Sequence, residues 1–173
     1  DVLSFDAKLS SDKKNVTVDV KLTSIPDDIN DVASMLVKYS YTSSKLTYVD
    51  TTDKTGKGTL SAKDGEISWI ANPAVTELSG TLFTINFTVN ADSYEDANIN
   101  LDEAKITSST GAEAKAYSTA GSSVYLGEAP KYYDYTISVY TQNDATVVDE
   151  PSYSRHSYYT ENALEGTVTV TQA

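Results

Sequence analysis

From Gly80 to Val89 the chain reads GTLFTINFTV, ten residues in which bulky apolar side chains recur at every second position. Phe83, Ile85, Phe87 and Val89 point to one side of an extended backbone, and Leu82, Thr84, Asn86 and Thr88 to the other. β-Branched and aromatic residues suit a pleated, half-buried surface. The stretch is therefore read as the central strand of a two-sheet β-sandwich. Its first row fills the core. Its second row carries no charge and is expected to face outward as a contact platform.

The same two-residue period runs through most of the chain. Residues 2–9 place Leu3, Phe5, Ala7 and Leu9 on one side, and residues 15–22 do so with Val16, Val18, Val20 and Leu22. Residues 32–41 form a third strand, with Ala33, Met35, Val37, Tyr39 and Tyr41 inward and Ser34, Leu36, Lys38 and Ser40 outward. Residues 46–51 form a fourth. Residues 66–72 are read as a fifth, where Ile67, Trp69 and Ala71 oppose Ser68 and Ile70. The short segment 59–62, between two glycine-bearing turns, is left uncounted. Ile99, Leu101 and Glu103 share one side of a strand that runs on to Ile106, and residues 112–118 form a strand or an irregular edge. Residues 122–126 are short, apolar and β-prone. No segment combines helical periodicity, an N-cap and sufficient length, so very little helix is expected. Short strands with turn signals about every ten residues indicate an all-β sandwich or barrel.

From Glu128 the composition changes, and tyrosines crowd at positions 132, 133, 135, 140, 153, 158 and 159. Residues 135–140 and 145–148 are predicted to pair as a hairpin across residues 141–144, and residues 166–172 to form a last strand. That is too little for an independent core. The expectation is one domain over residues 1–173, with 128–165 an insertion or an edge extension.

A chain of 173 residues, 39% apolar and 22% charged, has the composition of a soluble globular domain. It holds no eighteen-residue apolar run for a transmembrane helix. It begins at Asp1 with no Met and no leader pattern, so a mature or excised fragment is expected. The absence of cysteine excludes disulfides and thiolate metal sites. A net charge of -12 repels phosphate backbones and anionic lipid, so neither nucleic acid nor a membrane is an expected partner. Such a charge is first of all a solubility charge; the alternative is a field that favours a basic partner.

The run VASMLVKYSYTSSKLTYVDT at residues 32–51, followed by GTLFTINFTV, resembles the cohesin modules of cellulosome scaffold proteins. Tyr39-Ser40-Tyr41, the turn after it and Leu46 fit the family pattern, as do Ile25-Pro26 ahead of the third strand and Gly80 ahead of the central one. The likeness covers roughly residues 2–126, and residues 166–172 look like the family's closing strand. It implies a nine-stranded jelly-roll sandwich that binds a dockerin, a small helical module built on two calcium loops, across one flat sheet face. It also implies an extracellular scaffold, with calcium expected in the partner and no cofactor in this chain. By the family's strand numbering, the corresponding outward positions are Ser34, Leu36, Lys38 and Ser40, then Ser68 and Ile70, then Leu82, Thr84 and Asn86. The family often carries Asn or Asp where Ser34 and Leu36 stand, so a more hydrophobic contact is implied here, with Leu36, Ile70 and Leu82 as anchors.

Catalysis has little to stand on. His156 is the only histidine, it is expected in a polar loop beside Arg155, and no nucleophile elbow accompanies it. The acidic doublets Asp27-Asp28, Asp102-Glu103 and Asp149-Glu150 fall in turns or on solvated strand faces, away from the cleft a glycosidase pair needs. Residues 50–56 resemble a calcium loop, but the glycine is one place late, Lys54 takes a ligand position and no Glu follows at position twelve. The sequons at Asn15 and Asn86 lie inside strands. The alternative reading is a carbohydrate-binding module of the same sandwich class, with Trp69 and the tail tyrosines as the stacking surface. Against it, Trp69 shares core parity with Ile67.

Overall fold

A computed structural model describes residues 3–114, 119–139 and 152–159. The alternating stretches form strands and, among the described residues, there is no helix. In chain order the strands are β1 (Leu3–Leu9), β2 (Asn15–Leu22), β3 (Val32–Tyr41), β4 (Leu46–Asp53), β5 (Gly58–Lys63), β6 (Glu66–Val75), β7 (Gly80–Val89), β8 (Asp96–Thr107), β9 (Thr119–Ala120), β10 (Ser122–Tyr125), β11 (Tyr132–Val139) and β12 (Ser152–Tyr159).

Two five-stranded sheets make the sandwich, one in the order β4-β7-β2-β1-β9 and the other β10-β8-β3-β6-β5. Alternation sends one row of each strand into the space between them. Val16, Val18, Val20, Phe83, Ile85 and Phe87 come from the first sheet, and Met35, Val37, Ile67, Trp69, Ile99 and Ile106 from the second; all are buried. Aromatic rings tie the layers together. Trp69 meets Phe83 edge-on at 6.3 Å between ring centroids, and Tyr39 meets Phe5 at 6.2 Å and Phe87 at 6.4 Å in the same manner. Edge-on pairs of this kind add about 0.5–1.5 kcal/mol beyond the area they bury.

Several expectations about strand count are corrected. The uncounted segment becomes β5, because Thr59, Leu60 and Ser61 pair with Ile70, Trp69 and Ser68 of β6. Asp64-Gly65 closes that hairpin in two residues, with Gly65 at φ 82°, a region that favours glycine. The predicted fifth strand is thus the sixth, it runs past Asn72 to Val75, and Gly80–Val89 is the seventh. The predicted closing strand, residues 166–172, lies outside the described residues.

Residues 119–125 take part in both sheets. Thr119 and Ala120 pair in parallel with Leu3 and Ser4 of β1, whereas Ser122 to Tyr125 pair antiparallel with β8 in the other sheet. Between the halves stands Gly121. A Cβ there would lie 2.5 Å from the carbonyl oxygen of Ile99, so only glycine lets the chain cross from one layer to the other. The crossing is pinned by Ser122, whose Oγ accepts a hydrogen bond from the Ala7 amide at 3.2 Å.

Residues 1–128 form one compact unit and residues 129–173 a second. In the second, β11 pairs antiparallel with β12, from Tyr132 opposite Tyr159 to Val139 opposite Ser152. The predicted partner at 145–148 lies outside the described residues, and β12 takes its place. His156, expected in a loop, is in β12 opposite Tyr135.

Replacing Gly121 by alanine should force Ile99 or β10 to shift and cost about 2 kcal/mol or more. Thermal unfolding should show a melting temperature lower by roughly 5 °C or more. An unchanged value would mean that the crossing is not tight.

Candidate functional site

The outer face of β8-β3-β6-β5 is built by cross-strand register. One row runs Thr107, Ser34, Ile70, Thr59; the next Lys105, Leu36, Ser68, Ser61; the third Glu103, Lys38, Glu66, Lys63. Successive side chains of a strand alternate between faces, so burying Met35, Val37, Ile67 and Trp69 puts these twelve outside. Ile70 is 61% exposed, which is unusual for a large aliphatic side chain on a sheet face. Leu36 is half-buried on the diagonal from it. Around them the first two rows hold only hydroxyl side chains, with Lys105 at one end.

The third row is an ionic ladder. Lys38 lies 3.6 Å and Lys105 3.4 Å from Glu103, and Lys63 lies 3.2 Å from Glu66. Unbroken alternation would keep Glu103 on the same side of its strand as Ile99 and Leu101. Between Lys38 and Tyr39 the register shifts, so that Glu103 faces Lys38 and Leu101 faces Tyr39, with Asp102 as the additional residue. A bulge of this type reverses the parity of everything after it, which turns Glu103 outward. Asp102 accepts a hydrogen bond from Ser40 Oγ at 3.1 Å at the far edge of the grid.

The nine residues expected on one face do not share it. Ser34, Leu36, Lys38, Ser40, Ser68 and Ile70 are brought together on this sheet. Leu82, Thr84 and Asn86 belong to β7, in the other sheet, so their outer side is the opposite surface of the sandwich. The physical cause is β5. Its pairing with β6 supplies the fourth strand of the β8-β3-β6-β5 face, so β7 has no place in that sheet.

Leu82 is not on a surface at all; it is 1% exposed. β7 pairs Phe83 with Val20 and Thr81 with Lys21, leaving Leu82 as the extra residue of a bulge that turns it and Phe83 together into the core. Thr84 and Asn86 do face outward, on their own sheet. Thr84 Oγ1 donates to Asp19 Oδ1 at 2.9 Å, and Asn86 Nδ2 donates to Asp50 Oδ1 at 2.6 Å. Their polar groups are engaged across the strands.

Ionisation follows the same division. Beside Lys21, which donates to it at 2.8 Å, the Asp6 carboxyl is held below the usual carboxylate range. The Tyr39 phenol is pushed up by burial. Asp53 and Asp50, in the stretch that resembles a calcium loop, lie in β4 and accept hydrogen bonds from Thr55 and Asn86. Among the described residues no group of three or more His, Cys, Asp or Glu side chains is placed to hold a metal ion.

The family model described as "Cohesin domain" matches residues 3–124, the span of the sandwich. The chain belongs to the cohesin family. Solved cohesins share the fold. The sixth cohesin of scaffoldin B from Acetivibrio cellulolyticus, in complex with a Cel5 dockerin, is 19% identical, with 72% of this chain and 96% of that one covered and a TM-score of 0.58. The third ScaC cohesin of the same organism, in complex with the ScaB dockerin, is 18% identical over 73% and 99%, with a TM-score of 0.55. The OlpA cohesin from Clostridium thermocellum, in complex with Doc918, is 14% identical over 72% and 99%, with a TM-score of 0.54. At these identities the likeness is one of fold. No curated protein sequence matches the chain.

In this cohesin, Leu36→Asp and Ile70→Asp should leave the melting temperature within a few degrees, since both side chains reach solvent. Leu82→Asp should cost about 3 kcal/mol or more, because its carboxylate would enter the core unpaired. Equal melting temperatures for all three variants in thermal denaturation would contradict the assigned burial.

Proposed function

We propose that the β8-β3-β6-β5 face docks the helices of a calcium-loaded dockerin. The domain then serves as a non-catalytic assembly module in an extracellular, polysaccharide-degrading scaffold. The observation that carries this reading is Ile70, exposed next to Leu36 in a field of serine and threonine hydroxyls. Burying each aliphatic side chain under a helix is worth about 1.5–3 kcal/mol, while the surrounding hydroxyls meet the helix's polar groups and exclude water. The solved cohesins named above are complexes with dockerins, which supports the same partner here. Calcium enters through the partner's fold and not through this chain.

The carbohydrate reading loses its main residue. Trp69 is fully buried between the sheets and offers no ring to a sugar.

Leu36→Asp or Ile70→Asp should weaken capture of a calcium-loaded dockerin more than about 100-fold, since a carboxylate would be buried against an apolar helix face. Asn86→Arg, on the opposite surface, should leave affinity within about twofold. Surface plasmon resonance against a panel of dockerins, with and without a calcium chelator, reads all of these. Loss of binding in Asn86→Arg with retention in Leu36→Asp would move the site to the other sheet. Retardation by polysaccharide without capture of any dockerin would favour the carbohydrate reading.

A further inference from the structure

The chain as a whole is acidic, at -12, yet the docking grid is not. Its three rows hold Lys38, Lys63 and Lys105 against Glu66 and Glu103. Lys63 and Glu66 face each other at 3.2 Å and cancel. Glu103, however, serves two lysines at once, with Lys38 at 3.6 Å and Lys105 at 3.4 Å. The trio therefore keeps one positive charge. Asp102 stands on the same face one row further along, accepting from Ser40, so Lys38 and Lys105 and not this carboxylate are the charges next to Leu36.

The trio's position gives it a role. Lys105 is the cross-strand neighbour of Leu36, and Lys38 lies two residues along the same strand on the same face. A helix that covers Leu36 with an apolar side chain brings its adjacent turn over both ammonium groups, one turn being about 5.4 Å. Both lysine side chains are about half exposed in the free domain, 49% and 46%, and lose solvent when covered. Contact charges then count for more than the acidic remainder of the chain. Exposed charges beyond about 10 Å are largely screened at 0.1 M salt.

We infer that the Lys38–Glu103–Lys105 trio selects among helical partners. It admits one with Asp or Glu a turn away from the apolar residue that covers Leu36, and it rejects one with Lys or Arg there. This inference rests on the docking reading above and deepens it by stating the partner's charge pattern. It also reverses the preference for a basic partner that net charge alone implies. Complementary charge at a contact rim acts mainly on association rate and on specificity, and a like charge in its place is repulsive.

The test uses the full chain and a calcium-loaded dockerin that the wild type captures, with binding kinetics at 50 and 500 mM NaCl. The double variant Lys38→Glu/Lys105→Glu should bind about tenfold or more weakly at 50 mM, chiefly through slower association. The deficit should shrink to about threefold or less at 500 mM. Lys38→Gln/Lys105→Gln, which removes charge without adding repulsion, should move the same way by a smaller factor. Placing Lys on the dockerin turn that faces the trio should restore association to the Glu variant. Unchanged or tighter binding of the Glu variant at low salt overturns the inference and leaves docking intact. If Leu36→Asp also binds normally, or if the wild type captures no dockerin, the docking reading fails and takes the inference with it.

Discussion

Everything on the candidate face depends on the packing of Trp69 against Phe83 between the two sheets. The indole is fully buried, and its Nε1–H has no acceptor among the described residues. Leaving such a donor unpaired costs about 1–3 kcal/mol. Burying 150–250 Å² of aromatic surface returns about 4–6 kcal/mol, so the ring stays in. Once Trp69 points inward, parity leaves β6 no choice: Ser68 and Ile70 face out. The β3 and β5 registers against β6 then place Ser34, Leu36, Thr59 and Ser61 beside them.

Where alternation breaks, bulges decide which surface a residue reaches. Of the four register shifts among the described strands, one lies between Val32 and Ser34 where β3 meets β6, and the other three re-aim single residues. In β7 the extra residue Leu82 is turned into the core. In β4 the register slips between Tyr48 and Asp50, and Val49 is left 53% exposed. In β8 the extra residue Asp102 reverses parity and delivers Glu103 to the outer face, where it joins Lys38 and Lys105. An added residue raises local twist and re-aims a side chain, a common device next to functional surfaces. The charge pattern of the face is therefore a product of one irregularity in the ladder. Regular alternation alone would have buried Glu103.

These same irregularities mark the limit of what the sequence makes legible. The sandwich class, the inward rows of β1, β2 and β6 and the outward Ser34, Leu36, Ser68 and Ile70 follow from two-residue periodicity, which the backbone obeys wherever the ladder is regular. Thr59 to Ala62 shows no apolar row because β5 is an edge strand with little to bury, so periodicity alone does not mark it, and without it β7 takes its place beside β6. Leu82 sits in a clean alternating pattern. Its burial comes from pairing with β2, a long-range event that no local window contains. The crossing at Gly121 has a local signal, since Ala120-Gly121-Ser122 interrupts a β-prone run, but the need for glycine lies in the approach of Ile99 from another strand. The tyrosine-rich part differs again. Its first strand begins near the predicted place, and it pairs with Ser152–Tyr159.

What remains is a sheet whose outer side is sorted into an aliphatic and hydroxyl zone bordered by an ionic ladder, on a fold that belongs to the cohesin family. The most direct measurement of whether that side receives a partner is backbone NMR of the labelled domain, free and with a calcium-loaded dockerin. The account requires the largest amide shift changes to cluster at Ser34, Leu36, Ser68 and Ile70, with β2 and β7 nearly unmoved. Changes centred on Thr17, Thr84 and Asn86, or confined to β11 and β12, would contradict it.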